Sequence, residues 1–434
     1  MLNTEFISTA SCERTILSIP FSQFEKHIYE AKYWQWDNAP RIIVGTGSVE
    51  KVGQEATRLL ASTDGKKVLI LSDKGVVKAG LVDRVRPHLE KEGMTVTVYD
   101  ELATEPTMSS MNASAKFARD GKINLVVAVG GGACMDSAKV IAALLTNPGP
   151  LEDYATPLED RFKARAAPKI MIPTTAGTGS EASCYSVIID EQTKYKTWIA
   201  SPAMLADVAI VDPLMTVGLP PKQTAATAFD ALGHSGEAYI CSEANPISDC
   251  QAAMSIELIA QYARRAYHKP DDLEARLNVA IAATLGGIAI TYPWIGGPAL
   301  IGHCIAESLG PKYGIPHGNA VGLCLPYIME YNLPNCVPKL KRFAQAMGEN
   351  VNGISDRAAA RKAVEAVVDL AHDVELPLTL KAWNVPRETL PSFAEYLVKD
   401  RQYLYNLPRF NPRLVTLENT TELLYKMWDG RILE

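Results

Sequence analysis

Residues 125–129, Leu-Val-Val-Ala-Val, are apolar at every position and run straight into Gly130-Gly131-Gly132. Beyond the glycines, residues 136–145 carry a helical pattern. A short strand without polar alternation has both faces buried, which in practice means a parallel sheet covered by helices on each side. Glycines at the end of such a strand let backbone N–H groups approach an anion. The helix N-terminus just beyond adds partial positive charge. The combination predicts a phosphate-binding βα unit, against the alternative of a tight turn that holds nothing.

The flanking sequence repeats this alternation. Residues 67–72, 95–99 and 170–173 read as further strands, and residues 75–92 and 109–119 as helices. Strands alternating with helices imply βαβ units and a parallel sheet. Residues 186–200 read instead as a hairpin turning around Glu191-Gln192-Thr193. After Val211-Asp212-Pro213 the pattern becomes long, Ala-rich and helical over 222–241, 247–267 and 271–288, with Asp271 as a cap and no strand expected beyond. The expected organisation is an aromatic and charged arm over 1–38, an α/β domain over 39–212 and a helical domain over 213–434.

Composition narrows the function classes. The chain has 434 residues, 47% of them hydrophobic, which is too apolar for intrinsic disorder. Its 43 Lys and Arg against 49 Asp and Glu give a net charge of −6, which argues against nucleic acid or an anionic membrane surface as partner. No 18-residue apolar run spans a membrane, and the first residues lack the basic and apolar regions of an export signal. Eight scattered Cys without a CxxC pair read as reduced thiols, so a cytoplasmic protein is expected.

Two more segments add to the glycine loop. Pro173-Thr174-Thr175-Ala176-Gly177-Thr178-Gly179-Ser180-Glu181 places three hydroxyls and two glycines just after a strand, which would close a dinucleotide cleft from its other side. Asp73 ends the 67–72 strand, where it either accepts from a ribose 2′-OH or caps the next helix. Gly45-Thr46-Gly47 lacks a third glycine and is expected to be a plain turn.

The sharpest pattern involves histidine, of which there are only seven. Asp230 and His234 lie at i and i+4, on one helix face. His303 and His317 follow in HCIAESLGPKYGIPHG, where Gly310-Pro311 and Ile315-Pro316 are expected to place them on separate helices. One carboxylate and three imidazoles make a cage for a divalent metal, Fe2+ or Zn2+, with positions left open for a substrate oxygen. Each residue alone reads as a capping Asp or a buried His; the four together favour the metal.

These segments in order, GGGACMDSAK, PTTAGTGSE, VDP with LPP, TAATAFDALGH and the His pair ending in IPHG, resemble the iron-dependent, group III alcohol dehydrogenases. The resemblance runs from about Ala39 to the end of the chain. It implies a Rossmann-like N-terminal domain, a C-terminal helical domain, NAD(H) and one divalent metal, Fe2+ first and Zn2+ second, in the cleft between them. By the same resemblance the metal ligands fall on Asp230, His234, His303 and His317. Cofactor contacts fall on Gly131, Gly132, Ala133 and Asp136, on Thr174, Thr175 and Thr178, and on Val187 and Lys196. Asp73 takes the ribose position that goes with NAD, and Trp294 a position lining the substrate pocket.

The chain departs from the family pattern at three places. Ala133 replaces a Ser of the glycine loop, Phe229 stands where Met is common, and Glu307 stands where many members carry a second His linked to proton movement. Glu307 is one helical turn past His303, which predicts that it faces the metal cleft and moves a proton; pairing with Lys312 at the cleft rim is the alternative. The implied activity is metal-dependent hydride transfer between NAD(H) and a small alcohol/aldehyde pair, in the aldehyde-reducing direction, by a homodimer or larger homo-oligomer. Rival readings are a zinc-dependent glycerol dehydrogenase or sugar-phosphate cyclase on the same scaffold, and a non-catalytic NAD-binding protein. A cyclase would need several cations near the metal, and only Lys312 stands nearby in sequence.

Overall fold

The computed structural model describes residues 40–433 except 103–104, 157–158, 192–194 and 292–298. The expected N-terminal arm and Trp294 therefore lie outside the described residues.

The first half builds β1 (Arg41–Val44), α1 (Val52–Leu59), β2 (Lys67–Leu71), α2 (Lys74–Lys78), α3 (Arg86–Lys91), β3 (Thr95–Tyr99), α4 (Met108–Asp120), β4 (Leu125–Gly130), α5 (Gly132–Thr146) and β5 (Lys169–Pro173). A hairpin, β6 (Tyr185–Asp190) and β7 (Tyr195–Ala200), and a last strand β8 (Val208–Val211) complete it. Six strands form one parallel sheet in the order β1-β8-β5-β4-β2-β3, and the hairpin stands apart as an antiparallel pair. Central β4 is buried at every residue, as its unbroken apolar run requires. One sheet face packs Leu69, Val126 and Met171 under α5, while the other packs Val68, Val127 and Ile170 under α1 and α3.

Three details differ from the sequence reading. The single helix expected over 75–92 is split into α2 and α3, because Gly80 turns the chain at φ 74° and Pro87 sits in the first turn of α3. Strands β1 and β8 went unnamed in the sequence; each is only four residues long. Asp272, rather than Asp271, caps the helix that follows it, accepting from Ala275 N at 3.0 Å.

The second half is helical among the described residues: α6 (Pro221–Ile240), α7 (Pro246–His268), α8 (Leu273–Ala289), α9 (Ile301–Tyr313), α10 (His317–Ala346), α11 (Asp356–Asp373), α12 (Leu390–Tyr396), α13 (Leu407–Phe410) and α14 (Leu417–Asp429). Its core is continuous from Phe229 and Ile256 through Leu323, Phe343, Val364 and Leu424. Gly177 and Gly179 seat the Thr-rich loop between the two halves. A Cβ at Gly177 would come within 2.8 Å of Thr227 on α6, and one at Gly179 within 2.4 Å of the Ala283 carbonyl on α8.

Candidate metal and cofactor site

The glycine loop and the Thr-rich loop meet at the C-terminal edge of the sheet. Gly131 caps α5, and a Cβ on Gly132 would lie 2.5 Å from the Thr178 side chain. Only glycine permits this approach. A cavity of about 910 Å³ opens beside it, lined by Asp73, Gly131, Gly132, Ala133, Thr174 and Thr175. Gly132 and Ala133 also line a second cavity of about 250 Å³, together with Asp136, Thr178, Val187 and Lys196. All ten residues expected to hold the dinucleotide thus border two adjoining cavities. Gly45 and Gly47 border neither and form the turn after β1.

Asp73 and Asp136 also bind the protein itself. The Asp73 carboxylate caps α2, accepting from Gly75 N at 2.8 Å and Val76 N at 3.0 Å, and still lines the larger cavity. The two sequence alternatives for it are therefore compatible. Asp136 accepts from Ser180 Oγ, from Val187 N at 2.9 Å and from Lys139 Nζ at 3.4 Å. Its carboxylate clamps the Thr-rich loop and the hairpin to α5. Lys139 is fully buried, and desolvation lowers its pKa against the pull of Asp136.

Asp230 and His234 project from α6, His303 from α9, and His317 from the first turn of α10. One atom from each converges within 4.8 Å of the others. The chain turns between the last two at Gly314, which adopts φ 72°, and Pro316. The break expected at Gly310-Pro311 falls later, since α9 runs through Pro311 and ends at Tyr313. Asp230 Oδ1 lies 3.4 Å from His317 Nε2 and 3.9 Å from His234 Nδ1, and the His234 and His303 rings stack at 4.6 Å.

Each of the four carries a buried polar atom without a hydrogen-bond partner: Asp230 Oδ1, His234 Nδ1, His303 Nε2 and His317 Nδ1. Such a cluster of orphans is costly unless something binds it. Burial lowers the pKa of His234 and, with help from Lys196, lowers that of His317 well below its ordinary value. Both rings are therefore neutral, as a metal ligand must be. Burial also works against charge on His303, but Glu237 raises it to about 9. The His303 Nδ1 atom donates to Glu237 Oε1 at 2.7 Å, which leaves Nε2 to face the cluster. A carboxylate behind an imidazole is the usual support of a metal-bound histidine. A nitrogen- and oxygen-donor set of this kind fits a divalent first-row metal.

The profile of iron-containing alcohol dehydrogenases matches residues 39–213, and that of the family's C-terminal part matches residues 224–428. The chain belongs to the iron-containing alcohol dehydrogenase family. It is 37% identical over 393 residues to the long-chain-alcohol dehydrogenase 1 of Geobacillus thermodenitrificans, covering 90% of this chain and 96% of that protein. A crystal structure of 1,3-propanediol oxidoreductase superposes with a TM-score of 0.84 at 32% identity, over 92% of this chain and all of that one. An NADH-dependent butanol dehydrogenase A from Thermotoga maritima superposes at 0.79 and 27% identity, over 92% and 99%. As a member of this family the protein is a metal-dependent oxidoreductase of alcohols and aldehydes, working with iron and NAD(H). Membership does not favour the glycerol dehydrogenase or cyclase alternatives.

Two features of this dehydrogenase go beyond the sequence reading. Glu237 lies on α6 at i+7 from Asp230 and i+3 from His234, a spacing that keeps it on their face. Its Oε2 also accepts from Leu300 N and His303 N at the start of α9, so one carboxylate orients both the ring and the helix that carries it. Glu307 is buried and does not pair with Lys312; it accepts a hydrogen bond from the Tyr405 hydroxyl. Tyr405 comes from the segment between α12 and α13, which no local pattern links to α9.

Proposed function

We propose that this dehydrogenase reduces small aldehydes with NADH, and that Asp230, His234, His303 and His317 hold the iron. Asp73, Gly131, Gly132, Ala133, Asp136, Thr174, Thr175, Thr178, Val187 and Lys196 form the cofactor site. The observation that carries this reading is that one ligand atom from each of these four residues lies within 4.8 Å of the others, beside the smaller of the two loop cavities, which His234 and His317 also line, and that each of the four has a buried polar atom without a partner.

When bound, the metal supplies Lewis-acid polarisation of the substrate oxygen. The chain's own residues do the rest. Backbone N–H groups of the glycine loop and the start of α5 take the pyrophosphate. Asp73 accepts from a ribose hydroxyl, and Thr178 with Val187 bounds the nicotinamide end. Glu307 borders the same cavity as His234 and His317, so its carboxylate is placed to pass a proton to the oxygen as hydride reaches the carbonyl carbon.

The division falls at 39–212 and 213–434, with the substrate cleft between them. A homo-oligomer is supported by edge strand β1, which leaves Ile42 and Val44 39% and 48% exposed. A cytoplasmic setting is supported by seven free thiols among the described cysteines; no helix among the described residues is long and apolar enough to cross a membrane.

The test is NADH oxidation across an aldehyde panel, with iron-loaded protein and with protein dialysed against chelator. Metal-dependent turnover is expected. Full activity in the metal-free sample would sink the assignment.

A further inference from the structure

A third cavity, of about 380 Å³, lies on the far side of Glu307. Glu307 and Lys196 line both it and the cavity that contains His234 and His317, so the two spaces adjoin across these side chains. Lys312 and Arg401 also line the third cavity. Three cations thus line a space in which Glu307 is the only anion among the described lining residues; Lys196 is also ion-paired with Glu105 at 3.2 Å, so Lys312 and Arg401 carry the excess positive charge. Lys312 stands near the His pair in sequence, whereas Lys196 on β7, expected as a cofactor contact, and Arg401 from beyond α12 arrive through the fold.

Lys312 forms no ion pair among the described residues, and its ammonium rests 4.9 Å from the Phe393 ring centre and 5.6 Å from that of Tyr313. Arg401 is 3% exposed and donates to the Lys196 carbonyl at 3.0 Å, with its guanidinium 5.5 Å from the Tyr405 ring. That bond fixes Arg401 and Lys196 relative to each other. The opposing charge of Glu307 is engaged by the Tyr405 hydroxyl. Along α9, Glu307 is one turn, about 6 Å, beyond His303. A molecule with its oxygen at the metal cluster therefore needs only a few carbons to reach the cations.

We propose that this cavity takes the carboxylate of the substrate, so that the enzyme's substrates are short semialdehydes with an acid group at the far end. The inference rests on the aldehyde-reductase reading above. The carbonyl carbon accepts hydride from NADH and its oxygen a proton, giving a hydroxy acid and NAD+. The carboxylate is unchanged and serves only to anchor and orient.

The experiment compares succinate semialdehyde with pentanal, a neutral aldehyde of similar length, using the iron-loaded enzyme and NADH. A charge-assisted contact predicts kcat/KM about tenfold or more in favour of the semialdehyde, falling as salt rises. Lys312 is exposed, so Lys312→Met can be made without opening the core; it should cut the ratio roughly fivefold or more, while Lys312→Arg keeps it. Equal or better turnover of pentanal by the wild type, or an unchanged ratio in Lys312→Met, overturns the inference and leaves the aldehyde-reductase reading standing. Failure to turn over either aldehyde overturns both.

Discussion

The Tyr405 hydroxyl donates a hydrogen bond to the Glu307 carboxylate, joining two residues 98 positions apart at the wall between the metal cavity and the cationic cavity. The phenol is held far above its ordinary pKa by burial and by the neighbouring carboxylate, so it stays protonated and always donates. Glu307 is therefore oriented by a permanent donor, with one oxygen committed to Tyr405.

If Glu307 passes the proton, Glu307→Gln should leave metal content and NADH binding intact while lowering kcat about tenfold or more. It should also alter the pH dependence of kcat. Tyr405→Phe should retain more activity than Glu307→Gln, because it removes the orienting group and not the proton carrier. A Gln variant with wild-type kcat and pH profile would reduce Glu307 to a wall residue.

Glu237 supports His303 without reaching the metal position. Glu237→Gln keeps a carbonyl to accept from Nδ1 but removes the charge, and metal affinity should fall about 10- to 100-fold. Competition with a chromophoric chelator measures this directly. Unchanged affinity would show that the bond to Leu300 N, and not the support of the ring, is what Glu237 provides.

Some of this was legible in sequence for identifiable reasons. The unbroken apolar run at 125–129 could be satisfied only by a central parallel strand, and the i, i+4 spacing of Asp230 and His234 could be read as one face of a helix. What escaped was set by tertiary contacts. Arg401 is tied to the Lys196 carbonyl by a side-chain bond spanning 205 residues, and nothing local marks Arg401 as a neighbour of the metal cluster. Pro311 read as a helix breaker, yet α9 continues past it for two residues and ends at Tyr313, before Gly314 at φ 72°. Glu237 was within reach, since the same face that showed Asp230 and His234 includes it.

Cofactor choice should follow Asp73. A 2′-phosphate beside its carboxylate would cost about 1–4 kcal/mol at surface-like dielectric. The cap that Asp73 supplies to α2 makes Asn the informative replacement, because Asn preserves the cap and removes the charge. Asp73→Asn should raise kcat/KM for NADPH about tenfold while leaving thermal stability nearly unchanged. Wild-type preference for NADPH would move the ribose site elsewhere.

Metal should also stabilise the fold, which gives a readout independent of turnover. The four partnerless atoms of Asp230, His234, His303 and His317 are buried in the protein without metal, each at a cost of about 1–3 kcal/mol. A ligand that binds only the native state raises stability in proportion to the logarithm of its free concentration over its Kd. Removing the metal should therefore lower Tm, and Fe2+ added under anaerobic conditions should restore it. His303→Ala removes one ligand and leaves Glu237 buried without its imidazole partner, so its Tm should lie below that of the wild type and respond weakly to Fe2+. An identical Tm shift on Fe2+ addition in wild type and His303→Ala would place the metal outside this cluster.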